Sequence, residues 1–215
     1  LMINEINKQK ENLTKIALSI FQEEFNKLKN SMIGTLNKSL INFLPTKSVN
    51  SNGDIEIETV NSSCISIFGF NELNCTTNTF FRDDLEKTIP ETGEVLLSRS
   101  NTAELVGQSC VYNKQKKIAV SDLMYRIKTS KKLNNEYLNF YFNFLYLRGD
   151  FKRMSRGTSG SMKKINENKI HQLSIPLLEL DDQIKISKRI NKRILSIKNL
   201  SELLNKIYLS TIDIR

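Results

Sequence analysis

The sequence predicts an α+β protein in which one mixed α/β domain lies between two long helices that form an antiparallel, coiled-coil-like pair. The first observation is that all eight glycines and all three prolines lie between Gly34 and Pro176. Gly and Pro interrupt helices, so both ends of the chain are free to run as long helices. The second is that apolar residues recur at helical spacing at both ends and alternate in the middle. We therefore divide the chain at residues 1–33, 34–178 and 179–215.

The first segment is predicted to be an amphipathic helix over residues 2–33. Its apolar residues recur at steps of three and four along much of their length, with charged residues on the other faces. They are Ile6, Leu13, Ile16, Ile20, Phe21, Phe25 and Leu28. Gly34 is the expected stop of this helix.

The middle segment begins with strands and ends with helix. Alternating or continuous apolar residues predict strands at residues 55–59, 93–99, 105–112 and 117–128. Residues 100–102 read as a polar turn, and residues 61–92 as irregular chain. From residue 134 to 153 the spacing becomes helical and rich in aromatic residues. We interpret those aromatic residues as core and not as a surface for stacking bases.

The last segment is predicted to be a long helix from about Leu180 onward. Its apolar stripe has a heptad-like spacing, and its members are Ile186, Ile190, Ile194, Ile197, Leu200, Leu204 and Ile207. A helix of ~30 residues is ~45 Å long. A stripe this narrow needs one helical partner, and the N-terminal helix, through Ile16 and Ile20, is the expected one.

The charge of the chain favours a polyanionic partner. The formal net charge is +9 and the isoelectric point is about 9.4. Such a balance attracts nucleic acid through long-range electrostatics and the release of counterions. No apolar run approaches the ~20 residues of a membrane span, so we expect no membrane partner.

The cysteines and the histidine predict no metal site. Cys64, Cys75 and Cys110 form no CxxC pair, and His171 is the single histidine. A Cys/His zinc site is therefore not expected, and neither is a cofactor in this chain. Scattered cysteines in odd number fit free thiols in a reducing cytosol, which predicts a cytoplasmic protein.

A run of basic residues surrounds a glycine-rich segment late in the domain. Residues 148–164 contain six Lys or Arg residues around the sequence GTSGS at 157–161. Backbone N–H groups and small hydroxyls in such a turn can bind phosphate oxygens, although the segment is no P-loop. A solvated loop explains the run equally well. The candidate phosphate ligands are Arg153, Arg156, Thr158, Ser159, Ser161, Lys163 and Lys164.

A second polar cluster follows a strand that is expected to be buried. Its members are Ser98, Arg99, Asn101 and Thr102, with Ser100 between them. Arg can bind guanine and Asn can bind adenine through two hydrogen bonds in the major groove. The same residue types are also ordinary turn formers, and the residues alone favour that interpretation.

Two other classes of function stay open from the residues. Asp54, Glu56 and Glu58 alternate along one strand, as carboxylates do in some metal-dependent nucleases, but a strand face exposed to solvent explains the pattern as well. A basic coiled-coil scaffold protein is the third class. A catalytic triad would have to use His171, which makes that alternative poor.

Three segments together resemble the DNA-specificity (S) subunit of type I restriction–modification systems. They are GEVLLSRSNTAELVG at residues 93–107, RGTSGSMKKI at 156–165 and LSIPLLELDDQIKI at 173–186. The last segment is similar to the junction where a target-recognition domain of that family passes into a conserved spacer helix. SIFQEEF at residues 19–25 is similar to the end of the family's other spacer helix, whereas residues 34–75 match poorly.

The resemblance implies a non-catalytic subunit that recognises double-stranded DNA. It implies that the helices bind methyltransferase (M) subunits and that restriction (R) subunits join the full complex, so catalysis would reside in those partners. Family members usually contain two recognition domains, whereas this chain has one between two helices. The chain is therefore similar to half an S subunit or a fragment of one, and a half subunit could form a homodimer.

Overall fold

The computed structural model of the chain describes residues 2–157 and 162–212. The helices in these ranges are α1 (Met2–Asn26), α2 (Arg82–Leu85), α3 (Asn135–Leu147), α4 (Asp150–Met154), α5 (Glu167–His171) and α6 (Leu180–Ile212). None of the helices within these two ranges has the length and apolar character needed to cross a membrane. Long α1 and α6 flank a domain of short strands and helices, which confirms the predicted α+β class.

The strands form one four-stranded sheet and several smaller ones. Their bounds are β1 (Ile33–Thr35), β2 (Ile41–Leu44), β3 (Ile55–Val60), β4 (Ile65–Ser66), β5 (Gly69–Phe70), β6 (Thr76–Phe80), β7 (Val95–Ser98), β8 (Ser100–Asn101), β9 (Ser109–Val111), β10 (Ala119–Val120), β11 (Met124–Thr129), β12 (Lys163–Lys164) and β13 (Ser174–Pro176). The largest sheet has the order β2-β11-β7-β9 and is antiparallel throughout. A second sheet has the order β10-β3-β6.

The four-stranded sheet is covered on both faces. Successive side chains of a strand point to opposite faces, and β7 follows this rule. Val95 and Leu97 pack in the large core with α1, α3 and α6, whereas Leu96 packs in a smaller core with Val60 and Val120 of the second sheet. β7 is therefore buried on both sides, as its continuous apolar sequence predicts.

The long helices pack together and against α3. Glu24, near the end of α1, contacts Arg189, near the start of α6, with 2.8 Å between Oε2 and Nη2. The two helices therefore run antiparallel from this end. Phe25 of α1 stacks on Phe144 of α3 at 5.3 Å between ring centroids. The core of the helical layer thus involves three helices and not only the predicted pair.

The junction into α6 is fixed by one buried amide. The side chain of Gln183 accepts a hydrogen bond from the backbone N–H of Asn134 at 2.8 Å. Its amide group donates to the carbonyl oxygens of Lys132 at 3.0 Å and Leu178 at 2.8 Å. Asn134 in turn caps α3 by accepting from the N–H of Tyr137. Gln183 therefore joins the starts of α3 and α6.

The N-terminal helix is shorter than its periodicity predicts. It ends at Asn26, and the chain then turns through hydrogen bonds from Leu28 N–H to Phe25 and from Ser31 N–H to Leu28. Gly34 is no helix stop but lies in β1, opposite Ile175 of β13. Pairing with β13 overrides the helical pattern of residues 27–33, because tertiary contacts outweigh local preference.

A buried ion pair joins the four-stranded sheet to two loops. Arg126 of β11 binds Glu94 through two hydrogen bonds of 2.8 Å, and the side chains are 6% and 2% exposed. Arg126 also donates to the carbonyl oxygens of Pro45 and Lys87. Glu94 accepts a further bond from the N–H of Glu91 at 3.0 Å. The pair is thus fully hydrogen-bonded, as a buried pair must be.

We predict that Gly107→Ala lowers the free energy of unfolding by about 2–4 kcal/mol. Gly107 has a φ of +93°, and a Cβ there would collide with the buried ring and Cβ of Phe151 in α4. Urea unfolding would measure the loss. The control is Gly69→Ala, where φ is +109° but no atom lies within 4 Å of the added Cβ. Equal losses in both variants would contradict a role for Phe151.

Candidate nucleic-acid interface

The two polar clusters singled out in the sequence meet in the structure. β8 pairs antiparallel with β12, which places Asn101 opposite Lys163 and Ser100 opposite Lys164. Arg156 then pairs with Lys164 through two backbone hydrogen bonds of 2.9 and 2.8 Å. The candidate base-reading and phosphate-binding segments are therefore neighbouring strands of one small sheet.

A basic groove opens beside this sheet. We use that name for the open groove of about 520 Å³ lined by Arg99, Arg156, Lys164 and Lys169, with Glu167 as the one carboxylate among its described lining residues. Tyr125, Ile165 and Met154 form part of its apolar wall. Four cations against one carboxylate make the groove attractive to a polyanion.

Arg99 is held in place at the wall of the groove. Its guanidinium lies over the ring of Tyr125, 5.2 Å from the centroid. Its Nη1 donates to the carbonyl oxygen of Asp122 at 3.3 Å, and its backbone N–H donates to Leu123 at 3.0 Å. An arginine that is already restrained loses less conformational entropy when it binds a base edge or a phosphate.

Tyr125 connects the two halves of the site. Its hydroxyl donates to the carbonyl oxygen of Ile165, the residue that follows β12, at 2.9 Å. Burial raises the pKa of Tyr125, so the hydroxyl stays protonated and can donate. The ring also packs edge-on against Phe43 at 4.8 Å between centroids. One side chain thus contacts Arg99 and fixes the chain next to Lys164.

The base-reading candidates fall in different environments. Arg99 and Asn101 are half-buried and Thr102 is exposed. The side-chain oxygen of Asn101 accepts from the N–H of Thr102 at 2.8 Å, so part of this side chain stabilises the turn. Ser98 is fully buried, and its hydroxyl has no partner among the described residues. In this conformation Ser98 cannot reach a base.

The candidate phosphate-binding residues differ in whether another group of the protein already binds their side chains. Arg156 and Lys164 are exposed and have no carboxylate partner in the described parts of the chain. Lys163 donates to the carbonyl oxygen of Gly157 at 2.9 Å. Arg153 is engaged by Asp150 at 2.7 Å. The remaining candidates lie outside the described residues, and they are Thr158, Ser159 and Ser161.

The basic run of residues 148–164 carries less free charge than its sequence indicates. Asp150 binds Arg148 at 2.9 Å as well as Arg153, and Lys152 binds Glu104 at 3.3 Å. The Lys152 ammonium lowers the pKa of the Glu104 carboxyl. Glu104 comes from a distant part of the sequence, so its pairing with Lys152 could not be predicted from the run itself. The free positive charge is concentrated near Arg156 and Lys164.

Three residues of the groove were missed in the sequence. Lys169 and Glu167 belong to α5, and Tyr125 was read only as one member of an alternating strand. Spacing along the chain gives no signal for them, because the groove forms where β11, β12 and α5 meet in space. The net positive charge of the chain was the one feature of the sequence that indicated further basic residues such as Lys169.

The residues predicted for the helix interface are partly buried and partly exposed. Ile20, Ile186, Ile190, Ile194 and Ile197 are all buried in the large core. Leu204 is partly buried and packs on the same core, whereas Ile16 is 49% and Leu200 53% exposed. Ile16 and Leu200 therefore lie outside the interface between α1 and α6.

The charged residues on these helices add to the interface. Arg189 contacts Glu24, and Arg193 contacts Glu23 at 2.7 Å. Hydrogen bonds from Lys27, with Arg193 beside it, lower the pKa of the Glu23 carboxyl. The carboxylate of Glu24 is buried, and the ion pair with Arg189 of α6 compensates its charge.

Three of the four residues considered for catalysis have structural partners. His171 Nδ1 lies 2.8 Å from the carbonyl oxygen of Leu36, and its ring packs edge-on against Phe43. Asp54 accepts from the N–H of Arg82 at 2.9 Å, and Glu58 pairs with Lys116. In residues 2–157 and 162–212, no group of three or more His, Cys, Asp or Glu side chains is placed to hold a metal ion.

The fold, one domain of short strands and helices between two long helices, is similar to that of solved S subunits of type I restriction–modification systems. The HsdS subunit from Thermoanaerobacter tengcongensis superposes with a TM-score of 0.56 over 98% of this chain at 13% identity. The type I S subunit from M. genitalium gives 0.57 over 97% at 12% identity. A chain from a study of complex assembly and conformational transition of the type I system gives 0.64 over 99% at 13% identity.

The likeness lies in the fold and not in the sequence. This chain spans 53%, 56% and 53% of the three solved chains in the order given, so it corresponds to about half of each. No protein-family model matches the sequence, and no curated protein matches it either. The resemblance inferred from three short segments of the sequence is thus supported by structure neighbours of the expected kind.

Proposed function

We propose that this chain is a DNA-recognition subunit of a type I restriction–modification complex. The observation that carries the proposal is the pairing of β8 with β12, which brings Arg99 and Asn101 beside Arg156 and Lys164. Phosphate contacts position a protein on a duplex and base contacts give sequence preference, so an interface needs both kinds of residue side by side. The fold of the solved specificity subunits supports the same role.

In this proposal the basic groove receives one strand of double-stranded DNA. Arg156, Lys164 and Lys163 bind phosphates, with Arg153 nearby. Arg99 and Asn101 reach base edges in the major groove, with Thr102 at the exposed end of the turn. Tyr125 keeps the base-reading arginine in register with the phosphate-binding strand. Ser98 has no direct part, because it is buried.

The subunit is non-catalytic in this proposal. Its fold neighbours are specificity subunits, and His171, Asp54 and Glu58 already have structural partners here. Methyl transfer and cleavage would belong to M and R subunits. A pure chain that cleaves DNA with Mg²⁺, and loses this activity on Glu56→Ala, would contradict the proposal.

The helices serve as spacer and docking surface in the same proposal. α6 has 33 residues and is therefore ~50 Å long, which exceeds the ~34 Å of one turn of DNA. Exposed apolar side chains such as Ile16, Leu200 and Leu203 are available to an M subunit. Two copies of the chain would place two identical domains over two half-sites, and the target would be a palindromic bipartite sequence.

Arg99→Ala tests the base-reading role. We expect the variant to lose about tenfold to hundredfold of its preference for the target over other sequences, because one bidentate base contact contributes that much. The measurement is selection of bound duplexes from a randomised library by the chain together with its M subunit. Ser98→Ala is the matched control and should select the same sequences as the unmodified chain.

The outcome of this selection distinguishes an error in the role of Arg99 from an error in the proposed DNA-recognition function. If Arg99→Ala selects the same target with the same preference, the base-reading role of Arg99 is wrong. If the unmodified chain with its M subunit selects no sequence at all, the DNA-recognition function itself is wrong.

A further inference from the structure

Two cysteines meet on the opposite side of the four-stranded sheet from the large helical core. Cys64 ends the 3-10 turn Ser62–Cys64, and Cys75 follows the 3-10 turn Glu72–Asn74. Their sulfur atoms lie 3.4 Å apart, although eleven positions separate them in the sequence. Cys64 is buried in the smaller core, whereas Cys75 is partly exposed to solvent.

Side-chain amides hold the two turns together. Asn61 accepts from the N–H of Ser63 at 2.8 Å and donates to the carbonyl oxygen of Asn74 at 2.8 Å. Asn74 donates back to the carbonyl oxygen of Ser63 at 2.8 Å. The backbone N–H of Asn61 also points at the Cys64 sulfur at 3.3 Å. The approach of the two turns that carry the thiols is therefore built into the fold.

The surroundings favour ionisation of one thiol of the pair. The hydrogen bond from Cys75, together with the backbone N–H of Asn61, lowers the pKa of Cys64 despite its burial. The same contact raises the pKa of Cys75. Glu58 and Lys116 are the charged groups beside the pair. The third cysteine, Cys110, is fully buried, and burial raises its pKa.

We infer that Cys64 and Cys75 form a redox-sensitive dithiol that closes to an intramolecular disulfide when the chain meets hydrogen peroxide. Once the pair has lost one proton to solvent, the remaining proton moves to the sulfur of Cys64, and the thiolate of Cys75, which solvent reaches, attacks the peroxide. The O–O bond breaks, hydroxide leaves and takes up the proton released by the pair, and Cys75 becomes a sulfenic acid. The sulfur of Cys64 then attacks that of Cys75, the S–O bond breaks, and a second water leaves with the remaining thiol proton.

Closure would restrain the segment between the two cysteines. This segment contains the hairpin of β4 and β5, and its residues Phe68, Gly69 and Phe70 border Lys198 and Glu202 of α6. A cross-link removes conformational freedom from the loop it closes. Oxidation would therefore stiffen the contact between the recognition domain and the C-terminal helix. This inference does not depend on the proposed DNA binding.

Thiol counting on the folded chain tests the inference. After brief treatment with hydrogen peroxide, alkylation under denaturing conditions should label Cys110 alone, and the intact mass should fall by two hydrogen atoms. Peptide mapping should find Cys64 joined to Cys75. The Cys110→Ala variant should behave in the same way, whereas Cys64→Ser should stop at a sulfenic acid on Cys75 that dimedone traps.

The unfolded chain provides a control that needs no variant. Because the fold holds the sulfurs in contact, closure should be about tenfold or more faster in the native chain than in urea. Equal rates would overturn the inference, and so would three labelled thiols after peroxide treatment. A disulfide between two chains in place of the internal one would overturn it as well.

Discussion

Replacing Arg126 by Met is expected to lower the free energy of unfolding by about 3–5 kcal/mol. The substitution leaves the carboxylate of Glu94 at 2% exposure without the two 2.8 Å hydrogen bonds that compensate its charge. It also leaves the carbonyl oxygens of Pro45 and Lys87 without their donor. Unfolding in urea, followed by circular dichroism, would measure the loss.

Two further variants distinguish the stability lost by leaving Glu94 unpaired from the stability lost by removing an arginine as such. Arg126→Met combined with Glu94→Leu removes both charges and should regain most of the stability, because a buried pair contributes little over apolar residues of similar size. Arg82→Met breaks an exposed pair with Asp54 and should cost at most about 1 kcal/mol. If the double variant is less stable than Arg126→Met, the buried charge of Glu94 is not the cause.

The burial of Arg126 could not be predicted from the sequence. In the pattern of residues 117–128, Leu123, Tyr125 and Ile127 alternate with Met124, Arg126 and Lys128. The apolar set suggested the inner face, yet Leu123 is 44% exposed and Arg126 is buried. β11 is the second strand of a sheet covered on both faces, so both sets of side chains need partners. An alternating pattern cannot reveal that Arg126 in the second set is buried too.

The long helical elements could be predicted because their signal is local. The apolar stripe of α6 and the aromatic spacing of α3 repeat over several turns, and each pattern is complete within its own segment. β6, with the sequence TTNTF, was missed because it has no apolar alternation and is formed by pairing with β3. The end of α1 was misplaced for the same reason, since β13 draws residues 33–35 into a strand.

The candidate site could likewise be predicted where its signal is local, and not where it depends on contacts between distant segments. Residue types suggested Arg99 and Asn101 for bases and the basic run for phosphates, and the structure brings these segments together. Spacing within the run does not reveal that Asp150 and Glu104 form ion pairs with three of its cations. Which charges are free depends on contacts between distant segments.

The double variant Arg156→Glu and Lys164→Glu is expected to weaken duplex DNA binding by about 100-fold at low salt. Each hydrogen bond to a charged group is worth roughly tenfold in affinity, and both cations are free to make one. The slope of log affinity against log salt should become shallower by about two, because two fewer counterions are released. Fluorescence anisotropy on labelled duplexes over a salt series would measure both quantities.

The matched control reverses two exposed lysines on α1, as Lys8→Glu and Lys15→Glu. It changes the net charge of the chain by the same amount but lies outside the residues that line the basic groove. General attraction by net charge would make both double variants equally weak, and that result would contradict a phosphate site at the groove. A loss confined to Arg156 and Lys164, and similar for every duplex sequence, is what phosphate contacts require, because phosphates carry no sequence information.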